Sequence, residues 1–186
     1  MPALTPVPPL PETTIPLDLV IPSGYEHYFD RGSDRRYYTR RAFEFRGEPV
    51  FLPLVHAFLD TCAATRDEEY RYLFDLLGTE LATNAIKHSC SGLPGRTYTL
   101  KVDRSAEGLT LTCRDGGALD ARRDGPGERS HLAAARFGER LTAEAGRGLA
   151  LVDSIATAWG DNGHPSFRQV WFHLAYDLNG SSWPAA

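Results

Sequence analysis

The chain has 186 residues, of which 42% are hydrophobic, and a formal net charge of −4 at pH 7. This length and composition suit one domain with a single hydrophobic core. The negative charge argues against direct binding to nucleic acid or an anionic membrane, and no apolar run approaches the roughly 18 residues that span a bilayer. Three widely spaced cysteines, Cys62, Cys90 and Cys113, form no CxxC pair, so we expect reduced thiols in a cytoplasmic protein.

Proline dominates the N-terminus, where it makes up seven of the first 22 residues. Proline has no amide donor and biases the residue before it towards extended backbone, so a flexible or polyproline-like tail is expected. The start also lacks the basic and apolar regions of a secretion signal. We therefore assign residues 1–24 to a Pro-rich tail, 25–178 to a folded domain and 179–186 to a short C-terminal tail.

A strand and a helix are predicted first. Residues 37–46, YYTRRAFEFR, alternate around Phe43 and Phe45, which indicates a strand that ends at Gly47. Pro53 is expected to delay the following helix by a turn. The apolar stripe of that helix consists of Phe51, Val55, Phe58, Leu59 and Cys62.

A second helix is predicted from about Asp67 to Ser89, with acidic residues in the first turn, where they favour the helix dipole. Four apolar residues spaced by four define its buried ridge. They are Leu73, Leu77, Leu81 and Ala85. Beside that ridge lies a polar patch within TELATNAIKHS, made of Glu80, Asn84, Lys87 and His88.

The second half of the chain alternates between strand and helix patterns. Residues 97–103 and 109–115 alternate as the two strands of a hairpin. Residues 116–145 are polar and rich in Gly and Arg, and a stretch of this length in a compact domain is usually a lid or binding loop. GRGLALVDSIATAW, residues 146–159, predicts a helix, and residues 168–177 predict a last strand. Together these elements predict an α+β sandwich.

Three features of this pattern could take part in binding or catalysis, although each also has an ordinary structural explanation. Glu80 and Asn84 share one helix face; an amide oxygen suits Mg²⁺, and a carboxylate can orient a hydroxyl that attacks phosphorus. Asp115, in CRDGG at a strand end, can accept a hydrogen bond from an exocyclic amine. Gly146 and Gly148 open a helix, where free N–H groups favour phosphate. Neither a GxGxxG nor a GxxxxGK[ST] motif is present.

Taken in order, these segments resemble the GHKL ATPases, the superfamily of gyrase B subunits, histidine-kinase catalytic domains and heat-shock chaperone ATPases. TELATNAIKHS resembles their N-box, RDGG their first glycine box and GRGLALVDSIATAWG their second. The resemblance covers about residues 40–176 and is closest to the actinobacterial anti-sigma-factor serine kinases. It implies the Bergerat fold, a two-layer sandwich of a mixed, mostly antiparallel sheet with helices packed on one face.

The resemblance also implies roles for individual residues. Glu80 is the general base or orienter of the attacking hydroxyl, and Asn84 is the protein ligand of Mg²⁺. Asp115 reads the adenine amine of ATP. Residues 116–145 form the ATP lid. The remaining expected nucleotide-binding residues are Lys87, His88, Gly117, Gly146, Arg147, Gly148 and Leu149.

The resemblance finally implies a serine kinase that binds a sigma factor, phosphorylates an anti-anti-sigma protein and forms a homodimer. One departure leaves an alternative open. The first glycine box is usually DxGxG, and this chain keeps only the first of those glycines, at Gly117. The alternative is a catalytically inactive, nucleotide-dependent interaction module of the same fold. A two-component histidine kinase is disfavoured, because His56 is followed by Ala57 rather than by an acidic residue.

Overall fold

The computed structural model describes residues 19–31, 38–119, 131–133, 147–164 and 166–183. These ranges contain one five-stranded sheet in the order β1-β2-β3-β5-β4, and each neighbouring pair is antiparallel. The strands are β1 Arg40–Arg46, β2 Thr97–Arg104, β3 Gly108–Arg114, β4 Ala158–Asp161 and β5 Gln169–Ala175. The helices are α1 Leu52–Cys62, α2 Glu68–His88 and α3 Arg147–Ile155.

The sheet has one apolar and one polar face, as the alternating sequence predicts. In the β2–β3 hairpin, Leu100 lies opposite Cys113 and Val102 lies opposite Leu111, and all four are buried. The side chains between them point to the other face, which is mostly polar. They include Thr99, Lys101, Thr110 and Thr112.

Helix α2 lies at the centre of the helical layer and contacts α1, α3 and the sheet. Asp67 caps its first turn by accepting a hydrogen bond from the Tyr70 amide at 2.8 Å. The predicted ridge from Leu73 to Ala85 is buried against the apolar sheet face. The α+β two-layer sandwich is therefore confirmed. None of the helices in the described ranges is long and apolar enough to cross a membrane.

One predicted boundary is confirmed and another is wrong. Helix α1 begins at Leu52, after a 3₁₀ turn over Pro49–Phe51, so its start is delayed until Pro53 lies in the first turn, where a missing amide donor costs no helical hydrogen bond. The predicted helix over 146–159 ends at Ile155, and the following residues form β4. The Thr157 amide donates to the His173 carbonyl of β5, so pairing with the sheet edge replaces helix continuation.

The described N-terminal segment, residues 19–31, packs against α1 and β1. Ile21 is buried, and the Phe29 ring lies 4.9 Å from the Phe43 ring and 6.3 Å from the Phe58 ring. Several predictions fall on parts of the chain outside the described residues. These are the tail over 1–18, the lid over 120–130 and 134–145, and the C-terminal residues 184–186.

Candidate functional site

The polar patch of α2 faces the start of α3. Gly148, the second residue of α3, has its α-carbon so close to Glu80 that a side chain there would overlap the Glu80 Oε2 atom. The same added carbon would lie 3.3 Å from Asn84 Nδ2. The structure thus brings Gly148 of one predicted motif next to Glu80 and Asn84 of another. Gly148 lies 68 positions after Glu80 and 64 after Asn84 in the chain.

The Glu80 and Asn84 side chains are both half-buried. Among the described residues, none forms a hydrogen bond with the Glu80 carboxylate or the Asn84 side-chain amide. Each side chain is open to water or a ligand on one side and lies against the backbone of Gly148 on the other.

The N-terminus of α3 adds positive character to this place. The first amide groups of an α-helix have no partner within the helix, and the helix dipole favours negative charge there. Because Gly148 has no side chain, the backbone near this end can approach phosphate oxygens closely. The beginning of α3 therefore offers a phosphate contact beside a carboxylate and an amide.

The other predicted residues of the second motif differ in position. Gly146 lies outside the described residues, and Arg147 begins α3 with its side chain outside the described part. Leu149 is half-buried and packs against the hydrophobic core. Leu149 therefore helps to seat α3 on the core.

Lys87 and His88 are exposed in the last turn of α2. Lys87 is seven residues after Glu80 and His88 is four after Asn84, so helix periodicity places both on the side of α2 that carries the patch. Within the described residues, neither has a hydrogen bond or ion pair that fixes its side chain. The structure leaves both side chains exposed on this side of α2.

Asp115 directly follows β3 in a tightly bonded turn. Its amide donates to the Arg168 carbonyl at 2.9 Å, and its Oδ1 atom accepts from the Gly117 amide at 2.7 Å. Gly117 has a φ of 77°, a left-handed conformation that favours glycine. The Gly117 carbonyl accepts from the Cys90 amide at 2.9 Å, which fastens the turn to the end of α2.

Burial raises the pKa of the Asp115 carboxyl, although the hydrogen bond from the Gly117 amide and the proximity of Arg168 oppose the shift. Within the described residues, no hydrogen bond is donated to Oδ2, the second carboxylate oxygen. Asp115 therefore combines a fixed oxygen with one that can accept from a ligand amine. The predicted hydrogen-bonding role has a matching geometry.

No group of three or more His, Cys, Asp or Glu side chains that could hold a metal occurs among the described residues. A divalent ion near Asn84 therefore needs ligands beyond those that the described residues supply. Mg²⁺ bound by one protein oxygen together with phosphate and water oxygens has this requirement. The residues present fit a magnesium–nucleotide complex better than a metal held by the protein alone.

One residue that the motifs did not identify is Ser91, just after α2. Its Oγ atom accepts from the Gly116 amide at 2.9 Å and donates to the Thr97 carbonyl at 2.6 Å. The only sequence signal is the run of small polar residues after α2, which predicts a helix end without indicating what that end contacts.

Comparison with protein families places this geometry in a known group. Residues 52–159, more than half of the chain, match the model of the histidine kinase-like ATPase domain. A search of curated proteins finds no match. The matched region includes α1, α2, the β2–β3 hairpin, Asp115 and α3, so it contains both parts of the site. This chain belongs to the histidine kinase-like ATPase family.

Proposed function

We propose that this protein is an ATP- and Mg²⁺-dependent serine kinase that controls a sigma factor by phosphorylating an anti-anti-sigma partner. The observation that carries the proposal is the Glu80 carboxylate, which has no hydrogen-bond partner among the described residues and lies against Gly148 at the start of α3. A protein that only bound a nucleotide would gain nothing from a carboxylate near the phosphates, because like charges repel. A kinase uses such a group on the attacking hydroxyl.

Each residue of the site has a distinct task in this proposal. Asp115 accepts a hydrogen bond from the adenine amine through Oδ2 and so holds the base. The amide groups at the start of α3 contact the phosphates, with Gly148 permitting close approach. Asn84 would hold Mg²⁺ through its amide oxygen, with phosphate oxygens as further ligands. When bound, the ion supplies positive charge that offsets the negative charge of the transferring phosphoryl group.

Glu80 acts on the partner's serine. Its carboxylate accepts the hydroxyl proton as the serine oxygen forms a bond to the γ-phosphorus of ATP. The bond from that phosphorus to the β–γ bridging oxygen breaks, and ADP leaves. Positioning and electrostatic stabilisation supply most of the rate enhancement in such transfers, so one carboxylate is sufficient side-chain chemistry.

The partners belong to the proposal through the sequence resemblance. An anti-sigma factor of this type binds a sigma factor, and its serine-bearing antagonist is the phosphate acceptor. The resemblance also favours a homodimer, a cytoplasmic location and no direct contact with nucleic acid or membrane. Size measurements on the purified protein and mixing with candidate sigma factors test these parts.

A second candidate is a nucleotide-dependent interaction module without phosphotransfer. The observation in its favour is Leu119, which stands where the first glycine box usually has its second glycine and has a relative exposure of 52%. A side chain there restricts the backbone next to the nucleotide. In this candidate ATP changes partner binding without donating a phosphate.

A phosphotransfer assay with radiolabelled ATP and serine-bearing anti-anti-sigma proteins separates the two candidates. We expect Glu80→Ala to lower transfer by about 10²–10⁴-fold while ATP binding persists. Glu68→Ala removes an exposed acid from the first turn of the same helix and should leave transfer unchanged. If wild type transfers no phosphate but binds ATP, the second candidate is correct. If Glu80→Ala loses binding and transfer together, the role assigned to Glu80 is wrong.

A further inference from the structure

Ser91 connects three parts of the fold through one hydroxyl. It is 1% exposed and lies just after α2. Its Oγ donates to the carbonyl of Thr97, the first residue of β2, and accepts from the amide of Gly116, in the turn after β3. Its own amide donates to Ser89 Oγ at 3.0 Å, so the Ser91 backbone is also held.

The Gly116 amide matters because Gly116 separates Asp115 from Gly117. Asp115 Oδ1 accepts from the Gly117 amide, so the direction of the carboxylate depends on how that peptide is turned. The Ser91 hydroxyl fixes the peptide on one side of Gly116, and Asp115 itself fixes the peptide on the other side. Together these bonds leave Oδ2 as the oxygen available to a ligand.

The turn retains other attachments without the Ser91 hydroxyl. The Cys90 amide donates to the Gly117 carbonyl at 2.9 Å, and Ser89 pairs with Ala118 in an isolated β-bridge. A Ser91→Ala variant should therefore keep the turn attached to α2 while losing the hydroxyl's bonds to the Gly116 amide and to the Thr97 carbonyl of β2. The variant therefore tests the orientation of the Asp115 carboxylate separately from the attachment of the turn to α2.

We propose that Ser91 is a positioning residue for base recognition, which sets the preference of the site for adenine by fixing the Gly116 amide and thereby the Asp115 carboxylate. The inference rests on the proposed function, in which Asp115 reads the exocyclic amine. ATP presents an amine donor at this place, whereas ITP presents a carbonyl oxygen that cannot donate to a carboxylate. A loosely held carboxylate still admits both bases and discriminates less between them.

The test measures dissociation constants for Mg·ATP and Mg·ITP with the full chain. We expect wild type to prefer ATP by at least about tenfold, because a site built to receive a donor rejects an analogue that lacks it. Ser91→Ala should bind ATP about tenfold more weakly and ITP with unchanged affinity, so the preference falls. Ser91→Cys keeps the shape with a weaker donor and acceptor and should fall between them. It provides the same comparison if the alanine variant is insoluble.

Thr61→Val is the matched control. Thr61, near the end of α1, donates through Oγ1 to the Phe58 carbonyl of the same helix and to the Tyr28 carbonyl of the N-terminal segment, and neither partner belongs to the Asp115 turn. Removing this buried hydroxyl should lower the melting temperature and leave the ATP-to-ITP ratio unchanged. A ratio altered by Thr61→Val would show that the ratio follows general stability, which would overturn the inference.

The remaining outcomes are also decisive. If Ser91→Ala weakens ATP and ITP equally, or weakens neither, Ser91 does not position the carboxylate and the inference is wrong. If Asp115→Asn removes the preference and Ser91→Ala does not, base reading by Asp115 stands and only the role of Ser91 fails. If wild type binds neither nucleotide, the proposed function itself fails.

Discussion

At the scale of single residues, Asp115 is placed where its charge costs stability. Burial raises the pKa of its carboxyl, so the folded protein keeps this proton to a higher pH than the unfolded chain does. As pH rises through that window the unfolded state ionises first, which favours unfolding, and the penalty is complete above the folded pKa. The ionised Asp115 carboxylate, which is available to a ligand, thus lowers the free energy of unfolding.

Asp115→Asn should therefore melt at a higher temperature than wild type at pH 7, with the difference shrinking as pH falls through the raised folded-state pKa of Asp115 and vanishing below the unfolded value of about 4. The same variant should lose ATP binding. Asn has one acceptor oxygen, and the Gly117 amide already uses that position. Thermal unfolding at pH 7 and pH 3.5, with ATP titrations at pH 7, measures both effects.

Asp103 provides a control of opposite sign. Partial burial opposes the shift, but hydrogen bonds from Arg40 and Lys101 lower the pKa of the Asp103 carboxyl. Its stabilising contribution is present above the unfolded pKa and is lost as pH falls through the folded one. Asp103→Asn should melt slightly lower than wild type at pH 7 and bind ATP normally. If the melting temperatures of Asp115→Asn and Asp103→Asn changed with pH in the same direction relative to wild type, the opposite pKa shifts assigned to the two carboxyls would be wrong.

At the scale of elements, one hydroxyl joins α2 to the sheet. Tyr70 Oη donates to the Leu174 carbonyl of β5 at 2.7 Å and accepts from the Leu109 amide of β3 at 3.3 Å. Tyr70→Phe leaves these buried groups unpaired and should lower the free energy of unfolding by about 1–3 kcal/mol. Tyr98 is equally buried, but its hydroxyl has no partner among the described residues. Tyr98→Phe should leave stability unchanged or higher in urea unfolding.

Helix α2 has one face that packs in the core and another that forms the site. Gly78 lies on the packing face, and Gly148 of α3 lies against the site face. A carbon added at Gly78 would lie 2.7 Å from Leu59 Cδ1 of α1 and 3.3 Å from Leu111 Cδ2 of β3. Gly78→Ala should lower stability by about 1–3 kcal/mol through overpacking and leave nucleotide affinity unchanged once the protein is folded.

Gly148→Ala should show the reverse pattern. The new methyl group displaces the Glu80 carboxylate and narrows the space beside Asn84, while alanine suits a helix better than glycine. We expect Mg·ATP affinity to fall by at least about tenfold with the melting temperature of the free protein unchanged or higher. Calorimetric titration measures the Mg·ATP affinity, and thermal unfolding measures the melting temperature. Unchanged affinity would remove Gly148 from the site.

At the scale of the whole molecule, the three thiols report on folding. Cys62 and Cys113 are buried, and burial raises the pKa of Cys62 to about 12 and the pKa of Cys113 above its ordinary value. Thiolate is the reactive form, so both should be silent in the native state. Ellman's reagent should find one fast thiol, Cys90, in native protein and three in denaturant. Cys90→Ser should have none before unfolding, and two fast thiols in wild type would contradict the packing.

Much of the architecture follows from local pattern. The ridge of Leu73, Leu77, Leu81 and Ala85 has a helical period, and the hairpin strands have a period of two, so burial of apolar faces selects helix and strand without knowledge of the partners. The strand β4 was missed because its first two residues, Ala158 and Trp159, continue the helical pattern predicted over residues 146–159. Their strand conformation depends on pairing with β5, which local sequence does not encode.

By itself, the sequence determined the order of the elements except β4, the family and the helix face shared by Glu80 and Asn84, because these depend on spacing within short segments. Only the tertiary structure decided what that face contacts. Gly148 reaches Glu80, and Ser91 reaches Gly116, across long chain separations that are closed by packing of the helices on the sheet. Such contacts arise when the helices and the sheet bury a common core, so no local sequence pattern predicts them.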